Sequence, residues 1–165
     1  MHTYQELDSF EYWSITDKDQ FSISVLKGLI MDAVRKANSG HPGGAMSSAD
    51  FIYLLFKDYL KFDPKDPNWF DRDRFILSGG HMSMLQYSIL HLVGWMKLSE
   101  IKKFRQLGSQ TPGHPEVEIP GVECTTGPLG QGFAMGVGMA LAGAYLSNLI
   151  SNNDKESKKL IDHFT

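Results

Sequence analysis

The sequence predicts an α/β domain in which helices flank a sheet and glycine-rich turns connect the two. Apolar residues recur at helical spacing over residues 21–37 and again over 82–93. Between these helices, the short apolar run at 75–77 has the length and composition of a buried strand. Because this run leads into Ser-Gly-Gly-His, it places His81 at the carboxyl edge of the sheet, where open α/β folds bind their ligands.

The remaining elements follow from helix stops and turn residues. The first helix is predicted to end at 38–40, since the Asn-Ser-Gly sequence there favours the left-handed conformations that close helices. A second helix is predicted over 51–60. The charged run at 71–74 is predicted to be a solvated loop with local ion pairs that shapes the entry to the strand. Residues 122–126 are predicted to be a further strand or extended segment.

The last helix is the most apolar segment of the chain. Residues 133–150 run for eighteen positions without a charge, the length at which a membrane-spanning helix becomes a candidate. Eight of these residues are Gly, Ala or Ser, and small residues allow backbones to pack closely. We therefore interpret the segment as a buried core helix, with a membrane span as the alternative. Its three glycines each disfavour an isolated helix by about 1 kcal/mol, so tertiary packing must hold it.

Composition favours one globular domain with a small-molecule partner. The chain has 165 residues, 42% of them hydrophobic, and a formal net charge of −3, with no basic cluster of the kind that binds nucleic acid. A single cysteine, Cys124, excludes an internal disulfide framework and, with no signal peptide at the start, predicts a cytoplasmic location. One domain body is predicted over 17–165 after a leading segment at 1–16. The polar stretch 151–159 is predicted to be exposed, and 161–165 to approach a strand that the chain does not complete, so the domain is predicted to be incomplete at its C-terminal end.

Three histidines each follow a glycine in a turn-prone segment, and they are His41, His81 and His114. Loops carry a large share of binding and catalytic groups, and imidazole, with an ordinary pKa of about 6.5, donates or accepts protons near neutral pH. One such histidine would more simply fill a turn or cap a helix, but three favour a shared site. A zinc site formed with Cys124 is an alternative. No pair shows zinc-ligand spacing, so no metal ligand is assigned.

A fourth loop, TTGPLGQG at 125–132, has glycines at the spacing of a backbone that approaches a ligand closely. Its functional interpretation is that backbone amides at the start of the following helix face an anion. The alternative is a tight strand-to-helix connection, because the pattern is neither GxGxxG nor a P-loop.

Taken in order, four stretches closely resemble the N-terminal part of the transketolase family. They are SGHPGG at 39–44, DRDRFILSGGH at 71–81, TPGHPE at 111–116 and PGVECTTGPLGQG at 120–132. The resemblance covers about residues 21–165. It implies a thiamine diphosphate-binding domain of the PP type, with a parallel sheet flanked by helices. It also implies an enzyme that transfers a two-carbon ketol unit from a ketose phosphate to an aldose phosphate and works as a homodimer with active sites between subunits.

The same resemblance implies roles for individual residues. His41 and His114 are implied to be catalytic and substrate-binding, because they face the sugar, hydrogen-bond its hydroxyl and carbonyl groups and assist proton transfer. The residues implied to contact thiamine diphosphate are His81, Gly127, Pro128 and Leu129.

One departure from the family concerns the metal. The family holds Mg²⁺ or Ca²⁺ with a Gly-Asp-Gly motif and a later asparagine, both expected beyond residue 165, as is the glutamate that activates the cofactor. The 165-residue chain alone is therefore predicted to bind thiamine diphosphate weakly or not at all and to be inactive. The alternatives are dihydroxyacetone synthase, deoxyxylulose phosphate synthase, or a non-enzymatic half-subunit that acts with a partner chain.

Overall fold

The computed structural model describes residues 4–150 and 161–165. The predicted exposure of 151–159 lies outside the described residues. Helices dominate the described part. In chain order the elements are a 3-10 helix at Tyr4–Tyr12, α1 at Ile15–Ala37, α2 at Pro42–Ser47, α3 at Ala49–Leu54 with a π-helical continuation at Leu55–Tyr59, a 3-10 turn at Gly80–Met82, α4 at Ser83–Val93, α5 at Leu98–Ile101 and α6 at Gln131–Ile150.

The central helix of the core is α4, whose first eight residues are all buried. Helix α1 packs against it with Leu26 and Ile30, both fully buried, and α3 adds Ile52. These residues recur at the helical spacing read from the sequence, which places one apolar stripe of each helix against α4. Full burial of a leucine or isoleucine side chain stabilises the fold by about 1.5–3 kcal/mol. This packing gives the two loops that flank α4 a rigid support.

Local chemistry sets the ends of α1. At its start, the Ser14 hydroxyl oxygen accepts a hydrogen bond from the Asp17 backbone N–H at 3.1 Å. At its end, Asn38 adopts the left-handed conformation with φ 50°, and its backbone N–H donates to the carbonyls of Val34 and Arg35. The predicted stop at 38–40 is therefore confirmed, and it turns the chain toward His41.

No strand is assigned within residues 4–150 and 161–165. The segment 75–77, predicted as a strand, and the segment 122–126 have no regular secondary structure and join no sheet within the described residues. Segment 161–165 lies beside 71–75, where the Arg74 backbone N–H donates to the Phe164 carbonyl at 2.8 Å.

Two carboxylates contribute to the contact between these segments. Two backbone N–H groups of segment 161–165 donate to the side chains of Asp71 and Asp73, each at 2.7 Å, rather than to backbone carbonyls. The two segments are therefore held side by side by one backbone hydrogen bond and two side-chain hydrogen bonds.

Helix α6 forms as predicted, but the prediction that it is buried is wrong for this structure. Only Gly132 and Ser147 are buried, while Phe133 is 74% and Leu141 71% exposed. Its described neighbours contact one side only; for example, the Ser147 hydroxyl donates to the carbonyl of Ile161 at 3.0 Å. By length and composition α6 could also cross a membrane, a test that the core helices of soluble proteins pass as well.

Candidate functional site

The first histidine loop ends at His41, the residue that precedes α2. Pro42 occupies the first turn of that helix, where its missing N–H leaves no carbonyl unpaired. The His41 side chain makes no capping hydrogen bond to α2, and the residue is exposed. Helix capping therefore does not explain this histidine.

The second loop brings His81 to His41. The two rings pack edge to face, with centroids 5.4 Å apart and an interplanar angle of 81°. Gly80 allows the loop to approach the 125–132 loop, because a Cβ atom at Gly80 would lie 2.6 Å from the carbonyl oxygen of Thr126. The Thr126 hydroxyl donates to the Leu77 carbonyl at 2.8 Å, which ties the two loops together at their bases.

The third loop, which carries His114, is held by α4. The hydroxyl of Tyr87 lies 3.0 Å from the carbonyl oxygen of Pro112 and 3.1 Å from that of His114, and the two carbonyls share its single hydrogen in a bifurcated hydrogen bond. The Ser83 hydroxyl donates to the carbonyl of Gly113 at 2.9 Å. Burial raises the pKa of Tyr87, so its hydroxyl remains a donor. Three consecutive carbonyls are thus fixed by one face of a buried helix.

The electrostatic surroundings of His114 include the other two histidine loops. Burial lowers the pKa of His114 below its ordinary value, and the charges of Arg105, His41 and His81 lower it further. The neutral imidazole therefore persists to a more acidic pH than in a free histidine. Because the folded-state pKa is lowered, the contribution of His114 to stability is present above about pH 6.5 and is lost as the pH falls through the folded-state value.

The 125–132 loop presents its surface beside His114. A Cβ atom at Gly127 would meet only the His114 ring, at 3.9 Å, and Pro128 is exposed. Leu129 is 75% exposed. An apolar side chain and a bare backbone are therefore open to a ligand next to the three imidazoles.

The predicted anion site at the start of α6 is wrong for two of its amides. The Gln131 backbone N–H donates to the carbonyl of Pro128 at 3.3 Å. The Phe133 backbone N–H donates to the hydroxyl oxygen of Ser78 at 3.1 Å. Ser78 therefore caps α6 from the second histidine loop, which joins this loop to the fourth one, and these amides do not face an anion.

The prediction that the charged run at 71–74 is a solvated loop is wrong for two of its residues. Arg72 and Asp73 are buried, and Arg72 forms an ion pair with Glu123. Arg74 Nη1 lies 3.6 Å from the other oxygen of the Glu123 carboxylate. This pairing anchors the stretch before the 125–132 loop to the stretch before His81. Removing one partner would leave a buried charge uncompensated.

Zinc coordination gains no support from the geometry. Within the residues that the structure describes, no three His, Cys, Asp or Glu side chains are grouped so that they could hold a metal ion. Burial and the neighbouring Glu123 raise the pKa of the Cys124 thiol.

Comparison with known proteins decides the family. The family model described as transketolase, thiamine diphosphate binding domain, matches residues 18–165. The chain belongs to this family. Transketolase 2 of Escherichia coli K12 is 56% identical over 144 residues, which cover 86% of this chain and 21% of that protein. Transketolase of Staphylococcus aureus MW2 is 51% identical over 150 residues, which cover 90% of this chain and 22% of that protein.

Solved transketolase structures share the fold. A Pichia stipitis transketolase in complex with sedoheptulose-7-phosphate superimposes with a TM-score of 0.82 at 48% identity, covering 89% of this chain and 21% of that one. Transketolase from Leishmania mexicana superimposes with a TM-score of 0.83 at 42% identity, covering 89% of this chain and 22% of that one. The thiamine diphosphate-binding domain of these transketolases is α/β, which agrees with the predicted fold class. The chain spans about a fifth of the length of the transketolases that it matches.

Several residues that hold these loops together were not found from the sequence. Ser78, Ser83 and Tyr87 hold the loops by hydrogen bonds, and Arg105 lies between two of them. A signal existed for one pair, because Ser83 and Tyr87 are hydroxyl-bearing residues four positions apart and therefore share one face of the helix. Arg105 gave none, since nothing in its local sequence indicates which distant loop it reaches.

Proposed function

We propose that this chain contributes the first part of the cofactor domain of a transketolase, which transfers a two-carbon ketol unit from a ketose phosphate to an aldose phosphate. The observation that carries the proposal is the gathering of His41, His81 and His114 around the open surface of the 125–132 loop. Named relatives of the chain are transketolases, which act on sugar phosphates.

Thiamine diphosphate fits this surface. We propose that His81, Gly127, Pro128 and Leu129 contact it. The absence of a side chain at Gly127 and the exposure of Leu129 suit a flat, partly apolar ring, and His81 offers a ring nitrogen. When bound, the cofactor supplies the electron sink for breaking a carbon–carbon bond. Its Mg²⁺ or Ca²⁺ ligands are proposed to lie beyond residue 165.

His41 and His114 are proposed to act on the sugar. His114 is neutral at pH 7 because its pKa is lowered, so one ring nitrogen accepts a hydrogen bond or a proton from a sugar hydroxyl. The protonated imidazole then donates to an oxygen on which negative charge develops. His41, exposed beside the His81 ring, is proposed to hydrogen-bond the same substrate and fix its orientation.

The exposed apolar face of α6 is a candidate surface for contact with another protein chain. Its exposed residues include Phe133, Val137, Leu141 and Tyr145, spaced by four along one face. A contiguous apolar face of this kind marks a protein contact. We propose that it is covered in the full-length homodimer. The same face favours the second candidate, a half-subunit that acts only with a partner chain. No membrane or nucleic-acid partner is proposed.

A substrate panel tests the proposal. The protein is a full-length transketolase in which residues 18–165 of this chain replace the matched segment, hereafter the full-length enzyme. We expect ketol transfer from xylulose 5-phosphate to an aldose phosphate. Condensation of pyruvate would instead indicate deoxyxylulose phosphate synthase, and transfer to formaldehyde would indicate dihydroxyacetone synthase.

The 165-residue chain alone is assayed with the same substrates for comparison. We expect no transfer from it. Micromolar affinity requires about 8 kcal/mol, whereas a helix N-terminus contributes about 0.3–1 kcal/mol per favourably placed charge, and two α6 amides already have partners. Turnover by the chain alone would contradict this part of the proposal. Activity that appears only when a second polypeptide is added would favour the half-subunit.

A further inference from the structure

Arg105 adopts a backbone conformation that is unusual for its residue type. Its φ is 59°, in the left-handed region that arginine rarely occupies. The backbone N–H of Arg105 donates to the carbonyl of Thr111 at 2.9 Å, which fixes this residue at the base of the third histidine loop. Such a conformation persists only where its surroundings enforce it, and it occurs most often near functional sites.

The guanidinium of Arg105 lies between the first and third histidine loops. One terminal nitrogen donates to the Ser39 hydroxyl oxygen at 2.6 Å, and the other lies 3.4 Å from Nδ1 of His41. On the opposite side, a Cβ atom at Gly113 would lie 3.0 Å from Nε of Arg105. Glycine at 113 therefore leaves the space that the guanidinium occupies.

One atom of this arrangement is unfavourable for stability. The Nε of Arg105 is buried without a hydrogen-bond partner among the described residues. A residue selected only for folding would gain from satisfying that donor. Instead, the side chain leaves this donor unpaired and directs its two terminal nitrogens toward Ser39 and His41.

The contact with His41 restricts that ring. Arginine has donors only and does not lose its proton in proteins, so Nδ1 of His41 must carry the lone pair. In the neutral ring the hydrogen is then on Nε2.

We propose that Arg105 is a positioning residue that holds His41 as the Nε2–H tautomer, with Nε2–H as a hydrogen-bond donor for the sugar substrate. The role of Nε2–H toward the sugar rests on the proposed function, in which His41 contacts the sugar. The positioning of His41 by Arg105 does not depend on that function. Arg105 also acts on His114, since its charge is the second cause, after burial, of the lowered pKa there, followed by His41 and His81.

Nuclear magnetic resonance tests the positioning on the 165-residue chain with ¹⁵N-labelled histidine. In the parent we expect Nε2–H of His41 and a His114 titration midpoint below that of the same chain in urea. Arg105→Met is expected to give mixed His41 tautomers and a higher His114 midpoint. Arg105→Lys is expected to keep the low midpoint but not the tautomer, because lysine keeps the charge and loses the planar fork. Unchanged His41 and His114 signals in Arg105→Met would overturn the proposal.

Kinetics of the full-length enzyme test the link to the substrate. We expect Arg105→Met to lower kcat by about tenfold to a hundredfold, the range expected for a misplaced group, with little change in the KM for thiamine diphosphate. Lys102→Met, which removes an exposed positive charge from the same segment, is the control and should match the parent. If Arg105→Met changes the His41 tautomer but not kcat, Arg105 still positions His41 but this positioning has no role in catalysis. If the substrate panel fails, the proposed function is overturned and the positioning of His41 is not. If Arg105→Met does not fold, Arg105→Lys still decides, since a parent-like His41 tautomer there contradicts the proposal.

Discussion

His114→Ala is expected to lower the turnover of the full-length enzyme by about a hundredfold to ten-thousandfold, the range for removal of a general acid or base. His114 is exposed and only partly desolvated, so the loss of its ring removes little buried surface. The backbone of the loop stays in place, because Tyr87 and Ser83 bind its carbonyls rather than its side chain. Turnover is measured with xylulose 5-phosphate as donor and ribose 5-phosphate as acceptor.

Unfolding in urea supplies the second readout for this variant. We expect the free energy of unfolding to change by no more than about 0.5 kcal/mol, as for most surface substitutions. Glu118→Ala, an exposed position four residues further along, is the matched control and should keep the parent turnover. Equal turnover of His114→Ala and the parent at saturating substrate would remove His114 from the chemistry.

Gly132→Ala is expected to lower the free energy of unfolding by about 1–3 kcal/mol, the range for overpacking. A Cβ atom there would lie 2.6 Å from the Cα of Ser78 and 3.0 Å from the methyl group of Thr126. Since the first of these is backbone, α6 would have to move away from the second histidine loop. That movement would also lengthen the hydrogen bond from the Phe133 N–H to Ser78.

Gly138→Ala in the same helix is the matched control for this change. A Cβ atom there meets nothing within 4 Å, so the substitution should stabilise α6 by up to about 1 kcal/mol through helix propensity. Urea unfolding of the 165-residue chain, followed by circular dichroism at 222 nm, measures both variants. Equal effects at the two positions would contradict the close packing of α6 on the loop.

Local chemistry and motif spacing predicted much of the site. The Asn38 stop was readable because a left-handed residue must end the helix, and that stop delivers His41. The position of His81 after an apolar run of three residues indicated a loop at one edge of the core. The resemblance in four ordered motifs then grouped His114 and Gly127 with them. Their convergence follows from the fold, which single motifs do not encode.

Tertiary contacts explain what the sequence did not show. The small residues of α6 indicate close packing, but they do not say which segment packs there, and the helix is exposed over most of its length. The carboxylates of Asp71 and Asp73 accept backbone N–H groups of segment 161–165, contacts that the apolar run beside them does not indicate. Arg105 reaches Ser39 across 66 positions.

A crystal structure of the full-length enzyme with thiamine diphosphate and a ketose phosphate tests the central claim most directly. We expect His81 and Leu129 in contact with the cofactor, and His41 and His114 within hydrogen-bond distance of the sugar from the same side. Density for the cofactor and the sugar away from these four residues, with the three imidazoles facing solvent, would contradict the account.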